Sequence, residues 1–184
     1  MVSITTLVIP IVVSAVLVFI IAAMLWMVAP HHKHDFQGFA NEEAIRAAVG
    51  KPAAGLYTIP HAASDAARKD PAWLKKLADG PVAFVTVAPS RDMNMGPMMI
   101  QSILLYLVVS AITAYVAGHV LAAGTPYLQV FRVVGTVSWL AYGFGTASDS
   151  IWFARPWSST FKNLFDALLM GLVTAGVFGW LWPR

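Results

Sequence analysis

Four stretches of this chain carry almost no charge, and each is long enough to cross a bilayer as a helix of about 20 residues. A helix in lipid satisfies its own backbone hydrogen bonds, so such stretches are stable there and costly to expose to water. The expected fold is an all-α membrane protein. It has four transmembrane helices, at residues 1–29, 98–123, 129–153 and 160–182, with a small α+β extramembrane segment, residues 30–97, between the first two. Composition agrees, because only 11% of residues are charged and 58% are hydrophobic, against about 25% charged in a soluble domain. Most of the charges fall between residues 33 and 92.

The first stretch, from about Ile4 to Val28, has no Lys or Arg ahead of it and exceeds a signal-peptide core, so it reads as a retained anchor. Pro10 is expected to kink it. Ala29 and Pro30 stop it, and His31-His32-Lys33-His34-Asp35 begins the aqueous segment. In that segment Asn41 followed by Glu42 and Glu43 marks a helix start and Gly50 its stop. Residues 55–59 read as a strand, Asp70-Pro71 opens a second helix that ends at Asp79-Gly80, and residues 82–87 give the strongest strand signal. Two short helices and two strands bury too little for independent stability, so the segment is expected to rest on the membrane surface or on a partner.

Two of the apolar stretches place small residues four apart, Ser110, Ala114, Gly118 and Ala122 in one and Ala167, Gly171, Ala175 and Gly179 in the other. Small residues on one helical face let a second helix approach closely. These ridges are expected to mediate packing within the chain or between copies. Trp26, Trp152 and Trp157 near one boundary, and Tyr127, Trp180 and Trp182 near the other, form an interfacial aromatic belt.

With four crossings the termini share a side, and ten of the 12 Lys and Arg residues fall on the opposite one. The positive-inside tendency then puts the aqueous segment in the cytoplasm and both termini outside, as in a bacterial inner membrane.

Two groups of side chains could carry chemistry. Asp149, Arg155, Lys162 and Asp166 surround the loop between the last two stretches, and charges at that depth are normally paired. They read as an interfacial ionic clamp, with Lys162 and Asp166 meeting at i, i+4 spacing. A proton relay through them would need a path across the membrane, and no ionisable residue occupies the middle of any span. His31, His32 and His34 leave the first stretch where Met93, Met95, Met98 and Met99 enter the second. Imidazole and thioether together suit copper, and imidazole alone suits zinc or nickel. The absence of cysteine removes thiolate sites and disulfides. His61 has no recognisable catalytic partners, Gly143-Phe-Gly145 lacks the strand and helix of a dinucleotide loop, and the basic residues suit anionic headgroups rather than nucleic acid.

The reading favoured by these features is a non-enzymatic membrane subunit, assembly factor or scaffold without a required cofactor, whose partners are the lipid bilayer and either copies of itself or a larger membrane complex. The alternative is a copper-type metal-binding or transport protein using the His and Met cluster, and the third is a lipid-modifying membrane enzyme using Asp149 and Asp166.

Overall fold

Apolar runs with few helix breakers give three long helices in the computed structural model, which describes residues 1–90 and 94–184. Helix α1 spans Val8–Met27, α4 spans Gly96–Val120 and α7 spans Trp157–Trp180. Each is long and apolar enough to cross a membrane. Pro10 lies in the first turn of α1, where its missing N–H would have had no helical partner anyway, so the expected kink has no cause.

The expected continuous span over residues 129–153 is broken. It consists of α5 (Tyr127–Gly143), a 3₁₀ turn (Phe144–Thr146) and α6 (Ala147–Trp152). The 17 residues of α5 rise about 26 Å, short of a hydrocarbon core of about 30 Å. Among the described residues, three candidate membrane-spanning helices therefore stand where four were expected. At the break the Thr146 hydroxyl donates to the Gly143 carbonyl at 2.7 Å. Beyond the break, Ser150 and Thr160 share a 2.6 Å hydrogen bond that ties α6 to α7.

The chain divides into two compact units, Met1–Asp35 with Asn94–Arg184, and Phe36–Met93. In the first, α5 and α7 pack along most of their lengths. A Cβ built at Gly143 would lie 2.7 Å from the Ala167 Cβ, one at Gly171 3.1 Å from the Trp139 amide nitrogen, and one at Gly135 3.3 Å from the Ala175 Cβ. The contacts step by four residues along both helices, which is ridge-into-groove packing with glycine supplying the groove. Trp139 adds an indole N–H bond to the Leu164 carbonyl at 3.0 Å. At the far end of α4, the Val2 amide donates to the Gly118 carbonyl at 2.7 Å. The core joins Leu7 and Ile11 to Ala114 and Ala117 of α4, Val130 and Val134 of α5, and Ala175 and Phe178 of α7.

In the second unit, α2 (Glu42–Val49) is capped by the Asn41 side chain, which accepts from the Ala44 amide. Helix α3 (Pro71–Asp79) is capped in the same way by Asp70, and Gly50 and Gly80 end the two helices with positive φ. Strands β1 (Gly55–Ile59) and β2 (Ala83–Val87) pair antiparallel, from Gly55 opposite Val87 to Ile59 opposite Ala83. No described residue of this unit is buried. Residues His31 to Asp35, at the start of the segment read from sequence as aqueous, pack with the first unit.

Candidate functional site: a histidine and aspartate network

Helix α1 cannot continue through Pro30, which lacks the N–H for the next helical bond and instead opens a 3₁₀ turn over Pro30–His32. That turn brings both imidazoles to Asp166 in the third turn of α7. His31 Nε2 lies 2.8 Å from Asp166 Oδ1, and His32 Nε2 lies 2.7 Å from Asp166 Oδ2. The other nitrogen of His32, Nδ1, lies 2.6 Å from Asp35 Oδ2. Lys162 Nζ donates to the remaining Asp35 oxygen. One continuous chain of polar contacts therefore runs Lys162, Asp35, His32, Asp166, His31.

The network is largely shielded from water. Asp166 and His32 are 5% and 6% exposed, whereas His31 is the more open imidazole. The Trp26 indole stacks face to face on His32 with ring centroids 4.0 Å apart, and Phe165 meets His31 edge-on.

Ionised carboxylates only accept hydrogen bonds, and a neutral imidazole has one donor and one acceptor. Because both nitrogens of His32 reach carboxylate oxygens, the arrangement is satisfied when His32 is an imidazolium donating in both directions. Its environment agrees. Burial acts against the charged form, but the hydrogen bonds to Asp35 and Asp166 outweigh it and hold the pKa above the ordinary 6.5. For Asp35, the bond from His32 and then that from Lys162 hold the carboxyl below its ordinary 3.8.

These shifts fix a sign. The His32 contribution to stability is complete below its unfolded pKa and is lost as pH rises through the raised folded value. That of Asp35 is complete above its unfolded pKa and is lost as pH falls through the lowered one. Both are present between about pH 3.8 and 6.5. In chelator-treated protein, the Tm difference between wild type and Asp35→Asn is expected to be largest in that window and to shrink on either side of it.

The four residues read as one clamp separate into two groups. Lys162 does not bond Asp166 one turn along its own helix; it bonds Asp35, because the Asp166 carboxylate is occupied by two imidazoles delivered from the end of α1. Asp149 pairs with Arg155 at 3.6 Å, and both are partly exposed. Of the residues read as a His and Met metal group, His31 and His32 join Asp166. His34 and Met95 are exposed, Met98 is half-buried, and Met93 lies outside the described residues. The small-residue ridges face inward: Ser110, Ala114, Gly118, Ala167, Gly171 and Ala175 are buried, Gly179 lies against the Tyr127 ring, and Ala122 is exposed.

Comparison with known protein families, curated proteins and solved structures finds no match.

Asp35 is the member of this network that sequence reasoning did not single out. The signal that could have found it is its place three residues after His32, directly behind a proline-opened turn.

Proposed function

We propose that this chain is a four-crossing integral membrane protein that acts as a subunit or assembly factor, with the unit at residues 36–93 as its docking surface. The observation that carries this reading is the exposure of that unit's apolar side chains, with Phe36, Phe39 and Leu56 at 83%, 70% and 82%. Apolar area left in water contributes nothing to folding, so a unit of this kind gains stability when a second surface covers it. The small-residue ridges are occupied within the chain, which leaves the extramembrane unit as the apolar surface open to a partner.

The fourth crossing consists of α5, the 3₁₀ turn and α6 together. Its support is the close ladder that α5 makes with α7, a helix that is itself long enough to span. The network of His31, His32, Asp35, Lys162 and Asp166 latches the end of α1 to α7, and so fixes the stretch of chain from which the docking unit departs.

The test is copurification from native membranes in mild detergent, followed by mass measurement of the intact complex. A defined partner or oligomer is the expected result; a monomer that recovers no partner overturns the reading. Orientation is checked separately with reporter fusions at Pro60 and after Arg184. The reporter at Pro60 is expected to be active on the cytoplasmic side and the one after Arg184 on the outer side, following the Lys and Arg distribution.

A further inference from the structure

The geometry points to a divalent transition-metal site formed by His31 Nε2, His32 Nε2 and the Asp166 carboxylate, with Asp35 and Lys162 as positioning residues behind it. This inference does not depend on the docking reading, since every residue in it belongs to the membrane unit.

Three potential ligand atoms, one from each of these side chains, lie within 4.8 Å of one another. The two imidazole nitrogens stand 2.8 and 2.7 Å from the carboxylate oxygens. Zinc at about 2.0–2.1 Å from each donor in a tetrahedron requires donors about 3.3 Å apart. Each imidazole–carboxylate contact therefore needs to open by only about half an ångström, and the remaining donor separations, all within 4.8 Å, are brought to that spacing by side-chain rotations.

The surroundings of His32 are those of a held ligand. A metal-binding imidazole gives its other ring N–H to a carboxylate or carbonyl, which fixes the tautomer and aims the lone pair. His32 has that arrangement, with Nδ1 on Asp35 and Asp35 anchored in turn by Lys162. An ion at the site takes the place of the proton on His32 Nε2, while the Nδ1 proton stays on the Asp35 hydrogen bond. Trp26 and Phe165 wall the site with apolar surface. His31 is 27% exposed, and its side gives an entry path and leaves room for a fourth ligand from solvent.

Two imidazoles and one carboxylate with an open position suit zinc, iron(II), cobalt(II) or nickel(II), and they lack the thioether donors that favour copper(I). The donor set thus differs from the His and Met grouping suggested by sequence, because its decisive member, Asp166, lies 134 residues beyond His32.

The experiment uses full-length protein purified without a histidine tag, stripped with a chelator and titrated with cobalt(II) and then zinc(II). The expected results are one cobalt per chain with visible ligand-field absorption, its displacement by zinc, and a rise in Tm on zinc binding. His31→Ala, at the more exposed ligand, is expected to abolish the visible absorption. Asp35→Asn, which removes only the positioning carboxylate, should keep the stoichiometry and weaken affinity by roughly 10–100-fold. Asp149→Asn, at the separate, partly exposed pair with Arg155, should bind as wild type does.

Substoichiometric binding by folded wild-type protein overturns the proposal, as does unchanged cobalt absorption in His31→Ala. In that case the network is a proton-bridged latch alone. None of these outcomes bears on whether a partner copurifies.

Discussion

Asp166→Ala is expected to destabilise the protein by about 3–5 kcal/mol in the absence of metal, the usual cost of removing one member of a buried ion pair. The size follows from what remains. His32, 6% exposed, would keep one carboxylate and lose the other, so its Nε2–H would be buried without an acceptor or the ring would give up its charge. The bond from His31 would also be lost, and with it a direct tie between the end of α1 and α7. Thermal denaturation in detergent, followed by near-ultraviolet circular dichroism, checks the prediction. The contrast is Asp149→Asn. Its partner Arg155 is partly exposed and 3.6 Å away, and pairs in contact with solvent contribute about 0–1 kcal/mol. A cost for Asp149→Asn equal to that of Asp166→Ala would mean that the two groups act as one clamp after all.

The second large effect is expected at Gly171. A Cβ there would stand 3.1 Å from the Trp139 amide nitrogen and 3.3 Å from the Gly135 carbonyl oxygen. Both are backbone atoms that cannot rotate away. Gly171→Leu therefore has to push α5 from α7 along their close ladder, and overpacking of this kind costs about 1–3 kcal/mol, occasionally more. Loss of the Trp139 to Leu164 hydrogen bond should accompany the separation. Gly145→Ala is the control, because a Cβ at that position meets nothing within 4 Å. Comparing their Tm values, and the near-ultraviolet signal from Trp139, separates a packing effect from a general intolerance of larger residues.

Much of the architecture is legible wherever the signal is local. Length and apolarity identify α1, α4 and α7. Asn41 with Gly50, and Asp70-Pro71 with Gly80, bound the short helices as caps do, since each cap bonds within four residues of itself. The small-residue steps on α7 announce close packing, and the structure supplies the partner in Gly143, Trp139 and Gly135.

What sequence reading lost was long-range or conformational. Spacing along one helix pairs Lys162 with Asp166, but the end of α1 delivers competing donors that no local rule can place. Nothing local in His31 to Asp35 tells that the turn opened by Pro30 folds it onto α7. The break after Gly143 lies in a stretch that also holds Thr146, Ser148, Asp149 and Ser150, and short polar side chains of this kind do not by themselves mark where a helix changes its winding.

The stack of Trp26 on His32, at 4.0 Å and 2° between ring planes, gives the molecule an optical gauge of its own. An indole emits less light when a cationic imidazole lies against its face. Fluorescence from Trp26 should brighten as His32 gives up its charge, and subtracting the emission of Trp26→Phe removes the background from the remaining indoles. Proton occupancy of one nitrogen could then be followed by eye of the fluorimeter in intact membranes, with no dye attached.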